Sequence, residues 1–175
     1  MKSTQKLVRM ALLLAIALVI NYLESLVPLP LPLPGVKLGL ANCVGLMVLA
    51  CFDKKDYVVF NVLKVLMVAL IRTGFGTAFF ISAAGTFLST TMVLIVYRWT
   101  KTSIYGLSVV GALFHSLGQV LMVMLIYSNV YMISYLPVLE IISVATGCIT
   151  AFISANVLLK LPTTSLKVKE IKNTD

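Results

Sequence analysis

Residues 26–42 read LVPLPLPLPGVKLGLAN, and this stretch determines how the rest of the chain is divided. It carries a proline at every second position from Pro28 to Pro34. Because proline lacks a backbone N–H and restricts the residue before it, this run cannot lie inside a helix. Gly35 then frees the backbone, Lys37 adds a positive charge, and an apolar helical pattern resumes. The sequence therefore predicts a rigid extended segment between two hydrophobic helices.

The composition is typical of an integral membrane protein. Hydrophobic residues make up 60% of the chain, charged residues make up 11%, and the mean hydropathy is +1.04. In soluble domains roughly half of the residues are apolar and about a quarter are charged. The 175 residues provide one domain with room for roughly five to seven helical spans, since each span takes about 20 residues.

We predict an all-α integral membrane protein, a six-transmembrane-helix bundle with both termini cytoplasmic. The spans are placed at about residues 7–27, 37–52, 57–73, 78–97, 105–127 and 136–161, with an extracellular proline-rich loop at 28–36 and a cytoplasmic tail at 162–175. This orientation puts most of the 14 Lys and Arg residues inside, as the positive-inside rule requires. The net charge of +8 is thereby explained by orientation in the plasma membrane, and no nucleic-acid partner is predicted.

Ionisable and amide side chains inside the predicted spans are the candidate functional residues. An ionisable group at the centre of a membrane helix costs about 2.5–3.5 kcal/mol on insertion scales, so it normally faces the bundle interior. The ionisable residues are Glu24, Lys37, Lys64, Arg72, His115 and Glu140, and the amides are Asn21, Asn42, Asn61 and Gln119. Three pairs are three or four positions apart, which puts each pair on one helix face. These pairs are Asn21 with Glu24, Asn61 with Lys64, and His115 with Gln119.

These residues predict a substrate site below the proline-rich loop. More cations than carboxylates are present, which suits an anionic ligand such as a phosphate, diphosphate or carboxylate. The roles we assign are anion binding for Lys64 and Arg72, hydrogen bonding for His115, Gln119 and Asn42, and guarding of the entrance for Lys37.

A structural role is the alternative for the same residues. Glu24 and Glu140 would then pair with Lys64 and Arg72 as buried ion pairs, and His115 would be a hydrogen-bonded core residue. In either case the proline-rich loop lies over the polar residues. We predict that it acts as a lid and moves as a stiff unit about Gly35.

Ala11 and Ala15 form a small-xxx-small pair on the first span, a pattern that lets another membrane helix approach closely. At 100° per residue, Glu24 lies about 180° around the helix from Ala15, so the alanines face away from the polar interior. This pair is a candidate docking site for a membrane partner. The alternative is that they are two ordinary alanines in an apolar helix.

Two motifs resemble a known family. GVKLGLAN at residues 35–42 and GALFHSLGQ at residues 111–119 are similar to the Gx transporter family, also called heptaprenyl diphosphate synthase component I. The resemblance extends over roughly residues 7–161, and Ser116 stands where the family has Asn. The family is related to the substrate-binding S components of energy-coupling factor (ECF) transporters. Those are six-helix bundles with the ligand site in the outer half, beneath the loop that joins helices one and two.

This resemblance implies a function in vitamin-type uptake. An S component binds its substrate and works with a transmembrane T component and two ATPase subunits, which use the ATP. Ala11 and Ala15 match in spacing and position the alanine motif that docks on the T component. The implied substrate is a vitamin- or cofactor-like anionic molecule, with flavin first and an isoprenoid or quinone precursor next.

The sequence favours a transport subunit that is not an enzyme. A prenyl diphosphate synthase needs clustered aspartates to hold Mg²⁺, and this chain has only Asp53, Asp56 and Asp175. The G-x-x-x-x-G-K-[ST] phosphate loop of ATPases is also missing from the sequence, so ATP would be hydrolysed by partner subunits. No metal or bound cofactor is predicted. The alternative function is a non-catalytic membrane subunit associated with a prenyl diphosphate synthase.

Overall fold

The computed structural model describes residues 3–26, 39–100 and 102–160. The proline-rich loop at 28–36, Lys37 and the predicted tail at 162–175 lie outside the described residues. The proposed lid and its Gly35 hinge therefore stay predictions.

Within the described ranges the chain folds into six α-helices and contains no strand, which confirms the all-α class. The helices are α1 Ser3–Glu24, α2 Asn42–Cys51, α3 Lys54–Val68, α4 Thr77–Trp99, α5 Ile104–Tyr127 and α6 Leu136–Lys160. A π-helical turn, Ala69–Thr73, extends α3, and a 3₁₀ helix, Val130–Tyr135, precedes α6. The sequence had predicted only a short loop before the last span.

Four segments of the described chain are long and apolar enough to cross a membrane. They are Thr4–Glu24, Thr77–Trp99, Ile104–Tyr127 and Val130–Lys160. Their outer faces carry exposed apolar side chains such as Leu12, Phe87 and Ile141, which suit contact with lipid tails. The chain is thus a membrane protein by the character of these helices. The six-span count and the orientation of the termini stay predictions.

α2 is shorter than the predicted second span and lies inside the bundle. The helix begins at Asn42, whereas the second span was predicted to begin at residue 37. Gly39 cannot belong to the helix, because its φ is +83°, which a right-handed helix does not allow. The chain turns after this glycine, and the Asn42 N–H donates to the Gly39 carbonyl at 2.9 Å. Every residue from Cys43 to Ala50 is buried. Ser154 of α6 donates to the Cys43 carbonyl at 3.2 Å and so ties α2 to the bundle.

α4, α5 and α6 pack side by side through small residues and hydroxyl groups. The Ser89 hydroxyl of α4 donates to the Gly111 carbonyl of α5 at 2.8 Å, and the Ser108 hydroxyl of α5 donates to the Gly147 carbonyl of α6 at 2.8 Å. At Gly118 a Cβ would lie 2.8 Å from a carbonyl oxygen of α4, so glycine permits the close approach. Small residues and interhelical hydrogen bonds are what hold helices together in lipid.

Polar residues between α2 and α3 fix one end of the bundle. The Asp53 N–H donates to the Asp56 carboxylate at 3.0 Å, which caps the start of α3. Asp56 also forms an ion pair with Lys6 of α1 at 2.8 Å, and the Lys54 ammonium lies 4.9 Å from the centre of the Tyr97 ring of α4. α3 therefore begins at Lys54, three residues before the predicted start of the third span at residue 57.

Candidate functional site

Five of the predicted site residues meet in the bundle interior, and we call them the polar cluster: Glu24, Asn42, Lys64, His115 and Gln119. Glu24 is 5% exposed, Lys64 4%, His115 5% and Gln119 0%, while Asn42 is half-buried. They come from four helices, α1, α2, α3 and α5, so the cluster forms only when these helices pack together. Polar groups buried to this degree in an apolar bundle require partners to offset their lost hydration.

Gly39 lies against three members of the polar cluster. Its N–H donates to the Glu24 carboxylate. A Cβ at this position would lie 3.0 Å from Asn42 Nδ2 and 3.4 Å from His115 Cδ2. Because φ is also +83°, only glycine suits both the conformation and the space. The second glycine of the GVKLGLAN motif thus brings α1, α2 and α5 together at this point.

Lys64 reaches the N-terminal end of α2. Its ammonium donates to Asn42 Oδ1 at 2.8 Å. The other atom of that amide, Asn42 Nδ2, is buried and has no hydrogen-bond partner among the residues that the structure describes. The Glu24 carboxylate accepts from the N–H of Gly39, three residues before Asn42, so a cation and an anion lie near the start of α2. The amide nitrogen of Asn42 therefore presents a donor beside two opposite charges.

His115 and Gln119 contact each other on one face of α5, as their four-residue spacing predicts. Gln119 Nε2 lies 3.1 Å from His115 Nε2. Because the amide NH₂ can only donate, this assignment makes His115 Nε2 the acceptor and puts the imidazole proton on Nδ1. Gln119 Oε1 is buried and has no partner within the described part of the chain. The pair therefore offers an unused acceptor to a ligand.

Gly85 of α4 is a residue that the sequence analysis missed. A Cβ there would lie 2.8 Å from both Gln119 Cγ and the His115 carbonyl oxygen, and 3.1 Å from His115 Nδ1. The absence of a side chain lets α4 support the His115–Gln119 pair directly. The only signal in the sequence was the small-residue run SAAG at 82–85.

Two of the predicted site residues that the structure describes, Arg72 and Glu140, lie outside the polar cluster. Arg72 is exposed on the π-helical turn, about 12 Å along the helix axis from Lys64. Glu140 is half-buried on α6, and in the described residues neither it nor Arg72 forms an ion pair. Lys37 lies outside the described residues. Among the described residues, the polar cluster therefore contains one ammonium and one carboxylate, and the predicted excess of cations stays a prediction.

Ala11 and Ala15 are both exposed on α1, whereas Glu24 on the same helix is buried. The two alanines thus lie on the open face of α1, as the helical spacing predicts. Leu12 and Ile16 beside them are 61% and 51% exposed, so this surface is apolar as well as open. Such a surface is able to accept another membrane helix.

Gly39→Ala is expected to lower the stability of the protein by about 1–3 kcal/mol, because it adds backbone strain and crowds Asn42 and His115. His115 is the only histidine in the chain, so its ring signals in an NMR spectrum are assigned without ambiguity. We expect these signals to shift in the variant. We also expect thermal unfolding in detergent to begin at a lower temperature.

Gly74→Ala is the matched control for this experiment. Gly74 also has a positive φ, +62°, but a Cβ there has no heavy atom within 4 Å. The backbone at residue 74 should be strained in this variant, but the His115 signals should not change. Equal spectra for Gly39→Ala and the wild-type protein would contradict the assigned role of Gly39.

The comparisons with known proteins agree with the family suggested by the motifs. Heptaprenyl diphosphate synthase component I is the family that matches, over residues 13–157. Neither a curated protein nor a solved structure gave a significant match. The matched range contains all five residues of the polar cluster and Ala15, whereas Ala11 lies before it. The chain belongs to the heptaprenyl diphosphate synthase component I family.

Proposed function

We propose that this protein is a membrane-embedded substrate-binding subunit, the S component of an ECF-type transporter in the plasma membrane. The observation that carries this proposal is the pair of buried, unused hydrogen-bonding atoms in the polar cluster. Asn42 Nδ2 and Gln119 Oε1 have no partner in the described ranges. Leaving such a group unpaired costs about 1–3 kcal/mol, and a bound ligand would satisfy both.

The charges of the polar cluster favour a particular ligand orientation. Lys64 supplies the cation that would hold an anionic group, while Asn42 would donate to it from the same side. Gln119 Oε1 would accept from a donor on the ligand, and Glu24 provides a second acceptor close by. A ligand with an anionic end and a separate polar edge fits this set. Flavin is our first candidate, and an isoprenoid or quinone precursor is the second.

We assign Arg72 and Lys37 a different role from that of Lys64. Arg72 is exposed on the π-helical turn, so it would attract an anion at the protein surface rather than hold it in the cluster. Lys37 lies two residues before Gly39 in the sequence, and we assign it to the entrance. Arg72 and Lys37 would thus supply the excess of positive charge along the path by which an anionic ligand enters.

The proposed topology has six spans with both termini in the cytoplasm. α2 and α3 would complete the bundle together with the four long apolar helices, and the ion pair of Lys6 with Asp56 would lie at the cytoplasmic face. Because the sequence contains no phosphate-binding loop, transport would require a T component and two ATPase subunits. Ala11 and Ala15 on the open face of α1 would form the docking site.

A second candidate function is a non-catalytic membrane subunit that associates with a soluble prenyl diphosphate synthase. What suggests it is the description of the family, which names a synthase component. This function would not explain why two buried amide atoms of the polar cluster lack partners among the described residues. It would place the important surface at a membrane face, where a soluble enzyme binds.

Purification of the tagged protein from native membranes separates these two functions. We expect an integral membrane protein and ATPases to co-purify, and a small molecule to be retained and identified by mass spectrometry after denaturation. A prenyl synthase in the eluate, with no ATPase and no retained small molecule, would contradict the transport proposal and support the second function.

A further inference from the structure

Three cations lie where the start of α3 meets the end of α4. Lys54 and Lys55 are the first two residues of α3, and Arg98 is the last residue but one of α4. The Lys54 ammonium lies 4.9 Å from the centre of the Tyr97 ring, so the two helix ends are side by side. All three cations are exposed. We call Lys54, Lys55 and Arg98 the basic site.

No carboxylate of the described residues forms an ion pair with the basic site. The acidic residues closest along the chain, Asp53 and Asp56, have other partners. Asp56 forms an ion pair with Lys6 at 2.8 Å and accepts from the Asp53 N–H at 3.0 Å. Asp53 is the N-cap residue of α3 and forms a capping box with Asp56. The positive charge of the basic site is therefore available to a molecule outside the protein.

The basic site lies at the level of the lipid head groups. α4 is one of the segments long and apolar enough to cross a membrane, and its 23 residues rise about 34 Å. Because the hydrocarbon layer is roughly 30 Å thick, the last turn of α4 reaches the head groups. Trp99 follows Arg98 and is 80% exposed, as is typical of a tryptophan at the membrane–water interface.

The chemistry and the depth of these side chains favour a lipid phosphate as their partner. Guanidinium and ammonium groups bind phosphate oxygens, and a guanidinium does so through two parallel hydrogen bonds. In a zwitterionic lipid the phosphate is compensated by the ammonium of its own head group. An anionic lipid has no such compensation, so three unpaired cations favour it.

We propose that the basic site binds the head group of an anionic phospholipid, with Lys55 and Arg98 on the phosphate beside Lys54. The contact with Tyr97 fixes the position of the Lys54 ammonium in advance. Lys64 of the polar cluster is ten residues further along α3, about 15 Å from Lys54. The lipid site is therefore separate from the polar cluster and independent of the proposed transport function.

Trp99 is the only tryptophan in the sequence, so its fluorescence reports on this part of the protein alone. The protein is reconstituted in phosphatidylcholine vesicles that contain equal mole fractions of either brominated phosphatidylglycerol or brominated phosphatidylcholine. Bromine quenches tryptophan only at short range, and about 0.1 M salt screens charges more than about 10 Å away. Each Lys or Arg near an anionic surface contributes roughly fivefold in affinity. We therefore expect the quenching to give a relative binding constant of at least about five in favour of phosphatidylglycerol.

Equal quenching by the two brominated lipids would overturn the proposal. The three cations would then serve only to orient the spans, or would form a surface for an acidic partner protein.

Replacement of the three cations by glutamine identifies the groups responsible. The triple variant with Lys54→Gln, Lys55→Gln and Arg98→Gln should bind the two lipids equally. A second variant, Lys55→Gln with Arg98→Gln, leaves the contact of Lys54 with Tyr97 intact and should reduce the preference in the same direction. A preference that survives in the triple variant would overturn the assignment.

Lys160→Gln is the matched control for these variants. Lys160 is an exposed lysine at the end of α6, where Leu158 packs with Ala50 of α2 and Ile104 of α5. It has the same charge as the lysines of the basic site but lies on a different helix. The preference for phosphatidylglycerol should persist in this variant. An equal loss in Lys160→Gln and in the triple variant would show diffuse surface charge instead of a site, and would overturn the proposal.

Discussion

Lys64→Ala is expected to weaken binding of the transported ligand by roughly 30-fold to several thousand-fold. Removing one partner of a buried, hydrogen-bonded charge costs about 2–5 kcal/mol, and each 1.4 kcal/mol is a factor of ten in affinity. Lys64 is 4% exposed and its ammonium lies 2.8 Å from Asn42 Oδ1. Because the site is buried, water would not easily take over the hydrogen bonds of the lost ammonium. The measurement is the dissociation constant of the small molecule that co-purifies with the wild-type protein.

Lys55→Ala provides the control, since Lys55 is an exposed lysine on the same helix. It should bind the ligand as the wild-type protein does. Unchanged affinity in Lys64→Ala would remove Lys64 from the binding site.

A double variant distinguishes ligand binding by Lys64 from a purely structural role opposite Glu24. Replacing both members of a buried charge pair by neutral groups often preserves stability, whereas removing one is costly. We therefore expect Lys64→Met with Glu24→Gln to fold, as judged by thermal unfolding, yet to bind the ligand no better than Lys64→Ala. Recovery of both stability and binding in the double variant would show that the two charges act as an internal pair.

The double replacement of Ala11 and Ala15 by leucine is expected to reduce co-purification of the ATP-driven module by at least about tenfold. Both alanines are exposed on α1, and the added side chains would hold a partner helix away from the backbone. Ligand binding should be unchanged, because the polar cluster lies on the opposite side of α1.

Ala145→Leu tests whether any added bulk on the surface has this effect. Ala145 is an exposed alanine on α6 and has no assigned docking role. Association should persist in this variant. Association that also persists in the Ala11 and Ala15 variant would show that docking uses a different surface.

Regular helical spacing made part of this structure predictable. The apolar runs predicted the all-α class and the membrane character. A helix that is hydrophobic on all sides is either buried in the core of a large protein or spans a membrane. The four-residue spacing of His115 and Gln119 predicted their contact. In the same way, the angle between Ala15 and Glu24 predicted that one would be exposed and the other buried.

Features that depend on backbone conformation or on contact between helices were not predictable from spacing. The positive φ of Gly39 moves the start of α2 to Asn42, and a π-helical turn leaves Arg72 on the surface. Gly85 carries no periodic signal that distinguishes it from neighbouring small residues. Its role follows only from the packing of α4 against α5.

The short length of α2 determines how deep in the membrane the proposed ligand site would lie. Its ten residues rise about 15 Å, roughly half of the 30 Å hydrocarbon layer. Lys64, ten residues into α3, lies the same distance from Lys54. With residues 53–56 at the cytoplasmic face, as in the proposed topology, Asn42 and Lys64 would lie near mid-membrane. Release of the proposed ligand to the cytoplasm would then cross about half of the hydrocarbon layer.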